Sequence, residues 1–174
     1  MLLSMVIAEY LRPRPPPQGV RTTNELVMEL LKGVEFTSTV HAATITSQDS
    51  ANVRGEKLES GAKAMVLQIQ HGDLIMCVLS ASKSIDFKLV KRYLQVRDVG
   101  LASAQVVFAT TGGCLPGAVP PFGSLFGMKT LVDPSLWEQG PTINFNAGLR
   151  THSVQMFTQD YLTLEHPLTV CFSK

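Results

Sequence analysis

The sequence predicts a single domain of mixed α/β class, in which several short strands are interrupted by several short helices. The chain has 174 residues, the length of one ordinary domain. Hydrophobic residues make up 45% of it and charged residues 17%, which is enough apolar material for a core. Strand and helix patterns do not alternate strictly, so a Rossmann-type sheet is a poor fit.

Capping residues mark the first predicted helices. Thr22 and Glu25 have capping-box spacing before an apolar face, and Gly33 provides a stop. A second short helix begins at Thr46 and runs to Val53.

The later helices are marked in the same way. Asp86 precedes apolar residues at helical spacing. Ser103 can cap a helix that ends at Gly112, although 106–108 would also suit a strand; we favour the helix. The last two predicted helices begin at Asp133, which is followed by Pro134 at the first helical position, and at Thr158.

Period-two patterns predict the strands. Residues 63–70 alternate, the turn His71-Gly72-Asp73 follows, and 74–80 continues as a second strand, so this pair is a predicted β-hairpin. The remaining predicted strands are 34–40, 129–132, 142–146, 152–157 and 168–172.

The segment 112–127 is the most unusual in the chain, with five glycines and three prolines in sixteen residues. Its first part is too apolar for an ordinary surface loop. Glycines let a backbone approach a ligand closely, and a rigid loop with free N–H groups can bind an oxyanion. A buried Ω-type loop that only packs is the other interpretation, and both stay open at this point.

Lys63 is the second unusual feature, because it shares a predicted strand face with Met65, Leu67 and Ile69. A lysine on an apolar face has either a task or a route to solvent. Lys63 lies at the start of its strand, which allows the second explanation.

Other candidates for chemistry are less specific. Cys114 lies in the glycine-rich loop and could act as a nucleophile with His41 or His152, although a lone cysteine is more often a small apolar residue. Asp133 is better explained as a helix cap than as an acid. Asn146 lies where a strand ends, a position that suits either a turn or a binding group.

Net charge and cysteine usage restrict the partners and the compartment. A net charge of +1 argues against a long nucleic-acid contact, so such a partner would be held locally. The three cysteines form no CxxC pair, which makes a structural zinc site of the usual spacing unlikely and indicates a reducing, cytoplasmic setting.

The first twenty residues form a separate predicted unit. Residues 1–11 are apolar but contain Glu9, lack a basic leader and are too short to span a bilayer. A proline run then forms a stiff segment, so we expect 1–20 to be an arm and 21–174 to be one domain.

Taken in chain order, the motifs resemble the YbaK/prolyl-tRNA-editing family over roughly Thr22 to Cys171. No single motif is specific, but their order is. The motifs are a helix ending near Leu31, His41 with the Thr-led helix 46–51, a lysine opening the strand 61–67, the acid-capped helix 86–90, a Thr-Gly leading into a Gly-x-x-x-Pro loop over 111–123, a strand ending in Asp over 130–133, and a strand entering an Asn-Ala-Gly turn over 143–148.

The resemblance implies a curved mixed β-sheet or partial barrel surrounded by short helices. It also implies trans-editing, the hydrolysis of the ester between a wrong amino acid and the 3′ end of a tRNA, with no metal or cofactor. Cysteine or alanine on the proline acceptor is the substrate that we expect from it. The expected partners are the aminoacyl-tRNA acceptor end and an aminoacyl-tRNA synthetase.

The resemblance also implies the roles of individual residues. Lys63 would bind the terminal phosphate or ribose, and Gly117 would offer backbone N–H groups to the carbonyl oxygen, so these two form the expected catalytic pair. The expected substrate-binding residues are Ala118, Val119, Pro120, Pro121, Phe122, Asn146 and Gly148.

The sequence departs from the family pattern at two of these positions, and two other functions remain open. Ala118 stands where many relatives have a second glycine, and Asn146 is neither the serine nor the histidine of particular subfamilies, which leaves the substrate open. The alternatives are a non-catalytic editing-like module that docks to a prolyl-tRNA synthetase or a multi-synthetase complex through the arm, and a Cys114-dependent hydrolase.

Overall fold

The computed structural model describes residues 21–174, which form five α-helices and eight β-strands. The helices are α1 Thr23–Leu30, α2 Ser47–Arg54, α3 Phe87–Leu94, α4 Ala104–Thr110 and α5 Thr158–Glu165. The strands are β1 Phe36–Val40, β2 Ala62–Ile69, β3 Leu74–Ser80, β4 Val99–Leu101, β5 Lys129–Val132, β6 Thr142–Asn146, β7 His152–Phe157 and β8 Leu168–Thr169. Single 3₁₀ turns occupy Leu58–Ser60, Gln70–Gly72, Gly123–Phe126 and Pro134–Leu136. The predicted arm, 1–20, lies outside the described residues.

The strands divide into two open sheets. The larger has the order β4-β2-β3-β5-β8 and is mixed: β2 pairs antiparallel with β3 and β4, whereas β5 pairs parallel with β3 and β8. The smaller is antiparallel, in the order β1-β7-β6. An isolated bridge between Gly61 and Asn144 joins them. The mixed α/β class is confirmed, and the strands do not close into a barrel.

The larger sheet is covered by apolar residues on both faces. Val66 and Met76 belong to one apolar cluster, which also contains α1 and β6 residues. Leu67 and Ile75 belong to the other, under α3. Successive residues of a strand point to opposite faces, so β2 and β3 serve both clusters.

The cap signals confirm most of the predicted helices. Thr22 and Thr46 both form capping boxes, with Glu25 and Asp49 respectively. Ser103 accepts a hydrogen bond from the Val106 N–H, so the ambiguous segment is helical. Asp133 likewise accepts from the Ser135 N–H at the start of the turn Pro134–Leu136.

Two boundary predictions are wrong and one strand was missed. Thr158 is the first residue of α5 and does not cap it; Phe157 occupies the cap position, and the buried Thr158 hydroxyl has no hydrogen-bond partner among residues 21–174. The predicted last strand, 168–172, pairs only at Leu168–Thr169. Strand β4 is three residues with a central glycine, too short to show a period.

Within residues 21–174, neither a membrane-spanning helix nor a metal-binding cluster of side chains is present. In residues 21–174, no helix has the length and apolarity needed to cross a membrane. Within the same range, no group of three or more histidine, cysteine or acidic side chains is placed to hold a metal ion.

Candidate functional site

A cleft of about 300 Å³ lies where the two sheets meet. Helix α2, the start of β2, the end of β6 and the glycine-rich loop all contribute to its walls. The side chains and backbone most relevant to chemistry are Arg54, Lys63, Gly117, Val119, Asn144 and Asn146. The structure therefore brings together four of the residues singled out from the sequence: the lysine, two loop residues and Asn146.

Lys63 enters the cleft from the start of β2 and is half-buried. Its ammonium donates to the backbone carbonyls of Ala81, at 3.4 Å, and Lys83. Burial lowers the pKa of Lys63 from its ordinary value. The amine is thus held by the turn that follows β3.

The loop presents Gly117 and Val119 to the cleft. Gly117 has φ +83°, and a Cβ there would lie 3.3 Å from the Ile45 carbonyl oxygen, so glycine is required for both conformation and space. Among residues 21–174, no acceptor is bonded to the N–H groups of Gly117 or Val119. These two donors are available to an oxygen in the cleft.

Three hydrogen bonds fix the loop to the end of the smaller sheet. The Asn146 side-chain amide donates to the Gly117 carbonyl at 2.9 Å. The Gly148 N–H donates to the Ala118 carbonyl at 3.0 Å, and Arg150 Nε donates to the Pro116 carbonyl at 2.8 Å. Because the loop's carbonyls are turned toward β6 and β7, the loop is held rigidly at its glycine.

The other expected substrate-binding residues of the loop do not line the cleft. Ala118, Pro120 and Pro121 are buried, and the Pro121 carbonyl accepts from the Tyr161 hydroxyl at 3.0 Å. Phe122 is fully buried in the core, with edge-on contacts to the rings of Phe145 and Tyr161. Phe122, one of the expected substrate-binding residues, therefore packs in the core beneath the loop and anchors it.

Gly148 also lies away from the cleft. A Cβ at this position would lie 2.9 Å from the Asn24 backbone nitrogen and 3.0 Å from Thr23, so the glycine allows the turn after β6 to pack on α1. Asn24 strengthens this contact, because its side-chain amide donates to the Ala147 carbonyl at 2.7 Å.

Sequence reasoning missed the basic wall of the cleft. Arg54 and Lys57 line it together with Lys63, while Glu56 is the carboxylate among them. Arg54 Nε donates to the Ser50 carbonyl at 2.6 Å, but its buried Nη1 has no hydrogen-bond partner among the described residues. The spacing of these charges in sequence is unremarkable, and only the packing of α2 against β2 and β6 gathers them.

A smaller cavity of about 160 Å³ adjoins the cleft. Arg54, Glu56 and Asn144 line both spaces, and Ser153 lines the smaller one. Asn144 is 3% exposed and donates to the Ser60 hydroxyl at 3.1 Å. The boundary between the two spaces is thus polar.

A more open depression of about 580 Å³ lies elsewhere, beside Trp137 and Phe157. Asp160 is the charged residue in its lining. It offers no cation for a phosphate-bearing ligand, so the cleft between the sheets is the better candidate site.

The structure argues against a cysteine nucleophile. Cys114 is 2% exposed, and burial raises the pKa of its thiol, which disfavours the reactive thiolate. His41 contacts Ser153 and Ala42, while His152 contacts Thr151. Neither histidine is bonded to the cysteine, so the arrangement needed for a Cys–His pair is missing from the described residues.

Comparison with known proteins relates most of the chain to one family. The family model for the aminoacyl-tRNA editing domain matches residues 41–164. The multifunctional Ser/Thr-tRNA deacylase ProXp-y of Escherichia coli (strain K12) is 31% identical over 157 residues, covering 87% of this chain and 93% of that protein.

Solved structures show the same fold at lower identity. A protein proposed to be a trans-editing enzyme for prolyl tRNA synthetase superposes with a TM-score of 0.76 at 18% identity, covering 90% of this chain and 99% of that one. A hypothetical protein gives a TM-score of 0.77 at 18% identity, covering 85% of this chain and 99% of the other. The matched residues 41–164 include every residue named above as lining the cleft.

Proposed function

Because the chain belongs to the aminoacyl-tRNA editing domain family and is an aminoacyl-tRNA deacylase, we propose that it acts in trans on a mischarged tRNA carrying a small, uncharged amino acid. The bond that breaks is the ester between the amino acid and the 3′-terminal ribose. One observation carries the assignment of the site: a single cleft joins the Lys63 amine, the free N–H groups of the Gly117 loop and the Asn146 amide.

The ester needs positioning more than strong catalysis, because it is already reactive. The N–H groups of Gly117 and Val119 would donate hydrogen bonds to the carbonyl oxygen of the ester, on which negative charge develops. Lys63 would leave its two backbone carbonyls to contact the ribose or its phosphate. A water or a neighbouring ribose hydroxyl would attack. Among the described residues, the cleft lining contains Glu56 but no histidine or cysteine, which suits a reaction driven by placement.

The basic wall supports an anionic substrate end. Arg54 and Lys57 line the cleft beside Lys63, and Arg54 Nη1 has no partner in the described part of the protein. A buried guanidinium N–H without an acceptor is costly, so an incoming phosphate oxygen would relieve it. We assign Arg54 and Lys57 to the terminal phosphates, alongside Lys63.

The side chain of the amino acid would lie near the two asparagine amides of β6. Asn144 and Asn146 place polar atoms in the cleft, among the small residues Ala62 and Ala64. A site that hydrogen-bonds a hydroxyl rejects an analogue without one strongly, whereas a single methylene is worth only about 1–3 kcal/mol. We therefore propose serine and threonine first. The E. coli relative is described as a Ser/Thr-tRNA deacylase, which supports this order.

Alanine and cysteine on the proline acceptor, the sequence-based expectation, are the second candidates. Their small side chains would also fit between Ala62 and Ala64. Association with a synthetase stays a prediction that rests on the arm, 1–20.

The test is a deacylation assay with four amino acids, serine, threonine, alanine and cysteine, each charged on the proline acceptor and on one unrelated acceptor. Correctly charged prolyl-tRNA is the negative control, which should not be hydrolysed. We compare wild type with Lys63→Ala, and with Lys32→Ala as a charge-matched control at an exposed lysine just after α1.

We expect release of serine and threonine, a loss of at least about 100-fold in kcat/KM for Lys63→Ala, and no change for Lys32→Ala. Faster release of alanine or cysteine would replace the proposed substrate. Equal rates for Lys63→Ala and wild type would refute the assignment of the cleft.

A further inference from the structure

Three polar side chains form a row across the smaller sheet, behind the cleft. Ser153 on the central strand β7 lies opposite Asn146 on β6 and opposite Thr39 on β1. His41 follows Thr39 by two residues, on the same side of the chain. We call His41, Ser153 and Asn146 the polar row.

Each member of the polar row contacts the next. His41 Nε2 lies 2.6 Å from the Ser153 hydroxyl oxygen, and that hydroxyl lies 3.0 Å from Asn146 Oδ1. At one end the Asn146 amide reaches the Gly117 carbonyl, and at the other His41 Nδ1 lies 2.8 Å from the Ala42 carbonyl. Ser153 is 2% exposed and Asn146 8%, so water competes little for these bonds.

The donor and acceptor of each hydrogen bond can be assigned by starting from the Gly117 carbonyl. The Gly117 carbonyl can only accept, so Asn146 must present its NH₂ group there and its oxygen to Ser153. That oxygen can also only accept, so the single hydroxyl proton of Ser153 is donated to Asn146. The Ser153 oxygen is then left with acceptor capacity alone, and His41 must donate to it through Nε2.

At the other end of the row, a second hydrogen bond requires a proton on His41. The Ala42 carbonyl also only accepts, so Nδ1 must carry a proton as well. All four bonds therefore exist together only when His41 is the doubly protonated imidazolium. A neutral ring has one proton too few.

In one of its two tautomers, a neutral His41 changes which hydrogen bond Ser153 donates. If Nδ1 keeps its proton, Nε2 becomes an acceptor, and it competes with Asn146 for the one hydroxyl proton. When that proton turns to His41, Asn146 loses the partner of its oxygen. The amide that holds the Gly117 carbonyl is then fixed at one end only.

We propose that His41 and Ser153 are positioning residues, which fix the Asn146 amide, and through it the Gly117 loop, most completely when His41 is protonated. This inference rests on the proposed function, since it assigns the polar row to the hydrolytic cleft. Neither His41 nor Ser153 lines the cleft, so they act through Asn146.

The charged and titratable groups around the row come from two sides. Arg150 and His152 lie on the β7 side, where His152 is opposite Val40. Arg54 and Glu56 line the small cavity that Ser153 also lines. Arg150 is bonded to the Pro116 carbonyl, and Glu56 accepts from the Gln155 amide at 2.8 Å.

Kinetics of four variants, across pH 5.5 to 8.5, test the row. Ser153→Ala removes the middle member and Ser153→Thr restores a hydroxyl. His41→Gln supplies a donor that does not titrate. His152→Gln is the matched control, the same change at a histidine adjacent to Ser153 in sequence but outside the row.

We expect Ser153→Ala to lower kcat about tenfold with KM within about twofold, and Ser153→Thr to recover most of it. The ratio of wild-type to His41→Gln rates should fall several-fold as pH rises, while the ratio to His152→Gln stays constant. Taking ratios cancels the intrinsic pH dependence of the ester. Parallel profiles for wild type and His41→Gln, or full activity of folded Ser153→Ala, would overturn the proposal.

An NMR titration of the ligand-free protein separates this inference from the function. In wild type, the Asn146 side-chain NH₂ resonances should follow protonation of the His41 ring, and in Ser153→Ala they should not. If wild type hydrolyses none of the substrates, the proposed function fails. The titration alone then tests whether His41 and Ser153 orient the Asn146 amide. Asn146 NH₂ resonances that do not shift when His41 is protonated in wild type would refute the proposed role of the polar row.

Discussion

The two sheets differ in what covers them. On β3, in the larger sheet, every residue after Leu74 is buried, whereas on β1, in the smaller sheet, every residue after Phe36 is exposed. Apolar residues pack on both faces of the larger sheet. The smaller sheet instead carries Ser153, Asn144 and Asn146 toward the cleft and its neighbouring cavity.

This difference suggests a division of labour within one domain. Stability comes mainly from burial of apolar area, so it should depend most on the larger sheet. The proposed chemistry depends on oriented polar groups, which the smaller sheet and the attached loop would supply. Substitutions in the two regions should therefore separate stability from activity.

The largest effect is expected from Leu131→Ala on β5. Leu131 is fully buried in the cluster under α3, and truncation leaves a cavity, so unfolding free energy should fall by about 3 kcal/mol. Urea unfolding measures this, with the exposed β1 variant Thr37→Ala as control, expected within about 0.5 kcal/mol. Turnover per folded molecule should be unchanged; a specific loss of kcat would contradict the division.

Gly117→Ala should affect activity more than stability. The substitution forces an alanine to φ +83° and its Cβ to within 3.3 Å of the Ile45 carbonyl oxygen. We expect a strain of about 1–2 kcal/mol and a loss of at least tenfold in kcat, because the loop N–H groups shift. Gly113→Ala, at φ +95° with its nearest Cβ neighbour 3.7 Å away, is the control. Equal losses of kcat in both variants would point to general loop strain.

Two buried carboxylates should respond to pH with opposite signs. Burial raises the pKa of Asp133, but hydrogen bonds from Ser135, Phe172 and Ser173 outweigh it and leave the pKa below the ordinary 3.8. Burial raises the pKa of Glu165 above the ordinary 4.5, despite bonds from Ser124 and Thr130.

The sign follows from proton binding. Below about pH 4, the unfolded chain takes up a proton at Asp133 before the folded chain does, so stability from this group is lost as pH falls through its lowered pKa. The folded chain holds a proton at Glu165 longer, so its contribution declines as pH rises above 4.5. The free energy of unfolding, measured against pH for Asp133→Asn and Glu165→Gln, checks both. Asp133→Asn should reduce the loss of stability below about pH 4. Glu165→Gln should reduce the decline above pH 4.5.

The smallest effect is expected from Cys114→Ala. The thiol is buried and donates weakly to the Thr111 carbonyl at 3.4 Å, so activity should stay within about twofold. Deacylation before and after treatment with a thiol reagent gives the comparison. Loss of turnover in a folded Cys114→Ala protein would restore the cysteine hydrolase as an explanation.

Local signals predicted the elements well. Capping residues such as Thr22, Thr46 and Ser103 act within one turn, so they can be read without knowing the fold. Prediction failed where the local signal was misleading or absent. Thr158 has the right residue type for a cap but lies one position inside its helix, and β4 is too short for a period.

The site was predicted only in part, for a physical reason. Lys63 and Gly117 were recognisable because a strand lysine and a glycine-rich loop are unusual in sequence. Phe122 shares that loop but turns into the core, and no pattern within the loop reveals which residues face inward. The contacts of Arg54 and Ser153 depend on β6, β7 and α2 meeting, which is non-local information.

The hydrogen bonds from the Lys63 amine to two backbone carbonyls affect which ligands the cleft binds. A free ammonium would attract any small anion. Here, an anion must bind the Lys63 ammonium more strongly than the backbone carbonyls of Ala81 and Lys83 already do. We expect that threshold to be met by a ligand that also binds at several other points, which would make the cleft selective independently of the amino acid.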